Sequence, residues 1–368
     1  MGGPAYAVLA EGHFEPNAAK TACCLIRYRP EQVVAVIDSR SAGRSVQEVL
    51  GFGGSTPVVA TLEEALARDP NRLLIGIAPA GGALPEGWRE VLLAAIDAGL
   101  DLYSGLHTLL GEDPELAERA ARRGVRLVDL RAVPGDLTTP SGARDAVQVP
   151  VVLTVGSDCN VGKMTTAWEI VERARSRGRR YAFVATGQTG RLLAGSGFAI
   201  DRVISDFVAG AAERLVVEAA PGSELVLVEG QGSLTHPYYS GVTLGLLHGV
   251  QPDAMILCHV AGHTRMRHSA GLEVASLSRL VQIYEEAAAW IAPARSPRRA
   301  PGRVVAISLA TFRLAEPAAR EALERAAGET GLPAEDPVRF PSGALFEVCE
   351  RSRPEPVGAC ASTSPSRS

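Results

Sequence analysis

Lysine is scarce in this chain: Lys20 and Lys163 are the two present, and arginine supplies every other basic side chain. A composition that avoids lysine yet keeps it at position 163 points to a site where an arginine fork will not serve. No basic tract is long enough to argue for nucleic acid, and the net charge is −4. No apolar run approaches the ~20 residues of a membrane-spanning helix. The cysteines at positions 23, 24, 159, 258, 349 and 360 form no C-x-x-C pair and no framework spacing, which argues for a reducing compartment. The first residues, MGGPAYAVLAEGHFEP, have no basic n-region and meet Glu11 too early for a signal peptide. Together these absences predict a cytoplasmic protein with no nucleic acid and no membrane as partner; a small-molecule substrate and a homo-oligomer are the partners expected.

What is present is organised around Val151 to Trp168, VVLTVGSDCNVGKMTTAW. A β-rich run enters Gly156, a short polar loop follows, and Gly162-Lys163 opens a helical segment. That order is the one a phosphate-binding loop needs: backbone N–H groups of the loop point inward and the helix dipole adds positive charge at the same place. The cofactor-binding set is therefore Gly156, Ser157, Asp158, Cys159, Asn160, Val161, Gly162, Lys163, Met164, Thr165 and Thr166. Five residues separate Gly156 from Gly162, one more than in the standard pattern, and this longer loop resembles that of dethiobiotin synthetase. Met164 stands where a Ser or Thr normally holds Mg²⁺, and a thioether is a poor ligand for a hard cation. A ligand with phosphates but no obligatory metal, such as coenzyme A, becomes a candidate.

Along the chain, strand-like and helical runs alternate, which reads as α/β with parallel sheets. Before the loop, strands are expected at Val33–Ile37, Leu73–Ile77, Leu100–Tyr103 and Val125–Asp129, and helices at Leu62–Arg68, Trp88–Ala98 and Pro114–Arg123. After it, strands are expected at Tyr181–Ala185, Leu225–Val228, Ala254–Cys258 and Val304–Leu309. Helices should lie at Val203–Ala219, Leu272–Ala289 and Ala318–Thr330. The Pro/Gly/Ser/Thr-rich stretch Arg131–Val149 reads as a linker. The division is then a Rossmann-like domain over 1–147, a P-loop NTPase-like domain over 148–350 and a disordered tail over 351–368. Pro293–Arg303 reads as a basic surface loop. Asp38, ending VVAVID, is either a ribose-binding acid or a turn former, and Gly81-Gly82 follows a strand at its ligand-binding end.

Three strand ends are expected to converge beside the phosphate loop: Thr186–Gly190, Glu229–Ser233, and His259 with His263. Glu229 ends an apolar strand, where it could serve a metal, a water or a proton transfer, or simply cap the following turn. His263 is an acid–base or phosphate-contact candidate. Glu229, His263, Asp158 and Lys163 form the catalytic set. Lys20, Gln188, Thr189, Gly190, Gln231 and His236 are substrate-binding candidates. His259, His263 and His268 lack zinc-site spacing, so no metal is expected. Cys159 is either a nucleophile activated by the helix N-terminus or a small loop filler.

The segments VIDSRSAG, IAPAGG, GLDLYSGLH, GSDCNVGKMTTA, TGQTG, VEGQGSLTHP and DPVRF resemble a bacterial family long catalogued as a domain of unknown function. D-glutamate N-acetyltransferase is a characterised branch of it. The resemblance runs to about Glu350 and implies a Rossmann-like domain followed by a dethiobiotin-synthetase-like P-loop domain, with acetyl-CoA as cofactor and a D-amino acid as substrate. Met164 after the lysine looks like a family trait. Ala310 and Pro341 stand where the family pattern has Asn and Gly, and the arginine-rich Pro293–Arg303 is unlike the family. Acetyl transfer would use Lys163 and the loop for CoA phosphates, and Glu229 or His263 as general base. Loop N–H groups of Gly230–Gly232 or Gly187–Gly190 would face the oxyanion, and an arginine or Lys20 the substrate carboxylate. The rival readings are an ATP–Mg-dependent ligase or kinase acting on a small carboxylate or amine, and a non-catalytic nucleotide- or CoA-binding regulator.

Overall fold

The computed structural model describes residues 3–352 apart from 17, 80, 270 and 292–299. The tail from 353 on, and most of the basic stretch Pro293–Arg303, lie outside the described residues. Arg351, the first residue of the expected tail, belongs to a helix.

The first half builds β1 (Tyr6–Leu9), α1 (Lys20–Tyr28), β2 (Val33–Ile37), α2 (Val46–Leu50), β3 (Val58–Val59), α3 (Leu62–Leu66), β4 (Arg72–Ile75), α4 (Trp88–Asp97), β5 (Asp101–Ser104), α5 (Pro114–Arg123) and β6 (Leu127–Asp129). Its strands line up as β3-β2-β1-β4-β5-β6, the order of a dinucleotide-binding Rossmann sheet. Every residue of β1 is buried, as expected for a parallel strand covered on both faces. Local sequence sets the helix ends. Asp113 accepts from the N–H groups of Glu115 and Leu116, Pro114 occupies the first turn, and Gly124 closes α5 in the left-handed region. Asp38 follows β2 and accepts the N–H of Gly12 at 2.8 Å, so its carboxylate holds the turn after β1.

The second half builds β7 (Val151–Gly156), α6 (Lys163–Ser176), β8 (Tyr181–Val184), α7 (Gln188–Ala194), α8 (Val208–Ala219), β9 (Leu225–Val228), α9 (Ser240–Val250), β10 (Ala254–Val260), α10 (Leu277–Ala289), β11 (Arg303–Ala310), α11 (Glu316–Thr330), β12 (Ala334–Glu335) and α12 (Ala344–Arg351). The strand order is β12-β11-β10-β7-β9-β8, and β7 pairs in parallel with both β9 and β10. The chain fills one side of β7 with β8 and β9 and then crosses to the other for β10 to β12. The carboxyl end of β7 is thus a topological switch point, where open α/β sheets hold ligands. Val152, Leu225, Leu227 and Ile256 of the sheet bury against Ala167, Ile170 and Val171 of α6, which fixes α6 on β7.

The chain divides into two compact units. One comprises Met1–Ser141, Val184–Leu215 and Glu229–Gln231; the other comprises Gly142–Phe183, Val216–Val228 and the chain from Gly232 on. This partition is discontinuous where the sequence suggests a single boundary at 147/148. Long-range hydrogen bonds explain it. Arg191 of α7 donates to the carbonyls of Asp129, Leu130 and Ala132, and Ser141 donates through N and Oγ to Glu213. The stretch Arg131–Val149 is irregular but anchored rather than a free linker. Arg131 pairs with Asp201. Arg144 is fully buried and reaches the carbonyls of Val250 and Gln251 and the carboxylate of Asp253.

Candidate functional site

The phosphate loop lies wholly in the second unit. β7 delivers Gly156, and Ser157 and Asp158 follow with no exposed surface. Two positive-φ residues turn the chain into α6: Asn160 at 53° and Gly162 at 97°, a conformation that suits Asn and Gly. A Cβ at Gly156 would sit 2.7 Å from Lys163 Nζ and 2.9 Å from Val161 Cγ2, so glycine is required for the loop to close on itself. Lys163 is buried, and its ammonium donates to the carbonyl of Asp158 at 2.8 Å. α6 starts at Gly162 with no side-chain cap. Met164 is 4% exposed, and Thr165 is half-buried. Thr166, expected among the cofactor contacts, has its hydroxyl in the core 2.7 Å from Ser308 Oγ, with the Cys258 thiol donating to it.

Asp158 is the hub of the loop. Its Oδ1 accepts the N–H of Cys159 at 2.6 Å; its Oδ2 accepts His263 Nε2 at 2.7 Å and the N–H of Arg267 at 2.8 Å. Burial pushes this carboxyl up, but those three donors outweigh it and hold it below the usual carboxylate range. His236 lies close by, its Nε2 3.7 Å from Asp158 Oδ1. That nitrogen is 2.7 Å from the Arg267 carbonyl, and Nδ1 receives the N–H of Tyr238 at 3.2 Å, which fixes the Nε2–H tautomer. His259 sits within β10, its Nδ1 2.8 Å from Ser157 Oγ. Burial drives its pKa down to about 4, with His263 adding to the drop, so the ring is neutral near pH 7. Tyr284 of α10 donates its hydroxyl to the Gly156 carbonyl at 2.7 Å and accepts the N–H of Leu234 at 3.2 Å. It thereby joins the loop to the segment carrying His236.

One of the two readings of Cys159 is decided. Cys159 is not an activated thiol: burial, then the Asp158 carboxylate, pushes it up to about 11 against the pull of Lys163 and Arg267. Asp158, Cys159 and His236 do offer three donor atoms within 4.8 Å of one another, a grouping their spacing in the chain conceals. Both His236 nitrogens, however, are already engaged.

The other sequence candidates gather in the first unit. Glu229 is 3% exposed; its Oε2 accepts the N–H groups of Thr186 and Gly187 at 3.2 and 3.3 Å, and its Oε1 accepts Gln231 Nε2 at 3.3 Å. The acid expected to act as a base thus caps the start of α7, where a carboxylate is favoured. Gly187, proposed as an oxyanion donor, already gives its N–H to that cap. A Cβ at Gly190 would come within 2.2 Å of Glu229 Oε2, which explains a glycine inside a helix. Thr189 Oγ1 meets Thr21 Oγ1 at 3.4 Å, and Gln188 packs against Gly105. Lys20 opens α1; one turn on, the Cys24 thiol is pushed up to about 11 by burial, with Lys20 opposing and Glu229 assisting. Lys20, Gln188, Thr189, Gly190, Glu229 and Gln231 therefore share one unit, while His236 and His263 belong with the loop. Sequence reasoning missed Arg267 and Tyr284; it placed His259 beside the loop without anticipating its bond to Ser157. The basic cluster HTRMRH after β10 was the available signal for Arg267; none pointed to Tyr284.

Residues 138–346 match a domain of unknown function described as the DUF1611 P-loop domain, and residues 39–133 match its Rossmann-like N-terminal companion. The chain is 38% identical over 331 residues to a D-glutamate N-acetyltransferase of Tritonibacter scottomollicae, covering 90% of this chain and 94% of the relative. It is 36% identical to one of a Pseudoalteromonas species over 75% of this chain and 80% of the relative. The crystal structure of a DUF1611 family protein from Anabaena variabilis superposes with a TM-score of 0.88 at 38% identity, covering 95% of this chain and all of that one. The chain belongs to the DUF1611 family of the D-glutamate N-acetyltransferases, in which a Rossmann-like unit precedes a P-loop unit.

Proposed function

We propose that the protein is an acetyl-CoA-dependent N-acetyltransferase whose acceptor is a D-amino acid, D-glutamate foremost. The reading is supported by two relatives of that name aligned over most of their lengths. The observation that carries the chemistry is the Asp158–His263 pair at 2.7 Å, set in a loop that bears a buried lysine. The loop fits CoA phosphates: α6 has no side-chain cap, Lys163 lies against the loop, and Met164 replaces the hydroxyl of a magnesium-dependent site. When bound, the cofactor supplies the acetyl group as a thioester.

The chain's own residues supply binding and proton transfer. Loop N–H groups and Lys163 would hold the phosphates, which would lower the entropic cost of bringing the reactants together. His263 donates Nε2–H to Asp158, so Nδ1 is the basic nitrogen of the neutral ring. Nδ1 takes a proton from the acceptor ammonium, and the buried Asp158 carboxylate stabilises the imidazolium that forms. A positioned base of this kind contributes roughly 10²–10⁴ in rate. A thiol-release assay across D- and L-amino acids tests the reading. His263→Ala is expected to lower kcat by about that factor with CoA affinity retained. Undiminished turnover in His263→Ala removes His263 from the mechanism; turnover that requires Mg-ATP removes the transferase reading itself.

A further inference from the structure

Arg267 sits beside the phosphate loop with its backbone N–H and carbonyl both bonded and its side-chain Nε without a partner among the described residues. Its N–H donates to Asp158 Oδ2 at 2.8 Å, and its carbonyl accepts His236 Nε2 at 2.7 Å. The backbone of this residue is thus fastened to the loop through Asp158 and to the neighbouring segment through His236, by bonds that do not involve the guanidinium. Its Nε is buried and has no hydrogen-bond partner among the described residues. A buried guanidinium N–H without an acceptor carries a desolvation cost that a bound anion would relieve. The charge already reaches the loop, since Arg267 acts with Lys163 to oppose the rise in the Cys159 pKa.

We propose that Arg267 is a second cation of the phosphate site, its guanidinium fork closing on a phosphate of the bound cofactor opposite Lys163. The two cations differ in kind. Lysine offers a point charge, whereas arginine offers a planar fork that matches two phosphate oxygens at once. The loop carries its own carboxylate, Asp158, which opposes an incoming anion. Arg267 bonds that carboxylate through its main-chain N–H, while its side chain adds a positive charge that offsets the repulsion. The assignment rests on the phosphate reading of the loop.

The test is calorimetric titration of the wild type, Arg267→Gln and Arg267→Lys with CoA, with inorganic pyrophosphate, and with pantetheine, which has no phosphate. Arg267→Gln removes the fork but leaves both main-chain bonds, so the loop is expected to keep its shape. CoA and pyrophosphate should bind Arg267→Gln about ten- to a hundredfold more weakly than the wild type, the range for hydrogen bonds to charged groups. Arg267→Lys should lose less, and pantetheine should not distinguish the proteins. Equal binding of CoA and pyrophosphate by the wild type and Arg267→Gln overturns the assignment, even if the acceptor KM rises. Pyrophosphate discrimination with no CoA binding to the wild type sinks the CoA reading and leaves Arg267 in place. Pyrophosphate that fails to bind the wild type overturns both. Should Arg267→Gln not fold, Arg267→Lys decides: weaker pyrophosphate binding than the wild type supports the fork, and equal binding overturns it.

Discussion

His259 and His263 lie four residues apart at the end of β10 and do different work. His263 Nε2 faces the Asp158 carboxylate, whereas His259 is largely buried against Ser157 with its pKa lowered to about 4. For His259 the native state binds fewer protons than the unfolded chain between about pH 4 and the ordinary histidine value near 6.5. Its neutral form therefore stabilises the fold above that ordinary value, and the contribution is lost as pH falls toward 4. Urea denaturation at pH 7 and pH 4.5 should show the wild type losing about 2–3 kcal/mol more than His259→Asn. Equal losses would mean the ring is not desolvated. At this scale the loop pattern singled out Lys163 and Asp158, and the end of β10 singled out His263, which lies against Asp158. The sequence left Glu229 ambiguous, since an acid after an apolar strand and before glycine suits either a reactive site or a helix cap. Only the position of α7 decides. Arg267 was missed although the basic cluster after β10 contains it, because its main-chain N–H bond to Asp158 is one that no side-chain pattern encodes.

Among the elements, α10 reaches the loop through a single hydroxyl. Tyr284 is completely buried and bonds to Gly156 and Leu234. Tyr284→Phe leaves those buried groups unpaired and should cost about 1–3 kcal/mol in chemical denaturation; a change near zero would show that the hydroxyl is dispensable. Gly190→Ala should destabilise α7, because its Cβ would meet Glu229 Oε2 at 2.2 Å. A melting temperature equal to the wild type would show that Glu229 can move aside. The strands β2 and β9 have the bounds read from their apolar runs, because short uninterrupted apolar stretches leave little choice. α7 and α9 were not anticipated. Gly187 and Gly190 flank and interrupt the first, and Gly241, Gly245 and Gly249 thin the propensity of the second. Buried positions such as Leu193 in α7 and Leu246, Leu247 and Val250 in α9 hold both helices in place, a tertiary effect that local composition does not report.

Across the whole molecule, both parallel sheets follow from the alternation of strand-like and helical segments, and the family assignment follows from motifs spread along the chain. The unit boundaries did not, because Arg191 and Glu213 tie distant segments by hydrogen bonds rather than by any shift in composition. No helix among the described residues is long and apolar enough to cross a membrane. The thiols of Cys23, Cys24, Cys159, Cys258 and Cys349 are all pushed up, to about 12, 11, 11, 11 and 12, with burial the largest cause in each. In a Cys360→Ser variant, native protein at pH 8 should therefore react with a disulfide reagent about a hundredfold or more slowly than free cysteine. Fast modification would contradict the burial of the loop. The central claim, that the turn from Gly156 to Lys163 holds the phosphates of CoA without magnesium, is tested most directly by titrating wild type and Lys163→Ala with acetyl-CoA in the presence of a chelator. The account predicts binding by the wild type and about ten- to a hundredfold weaker binding by Lys163→Ala. Equal affinities, or wild-type binding of Mg-ATP alone, would contradict it.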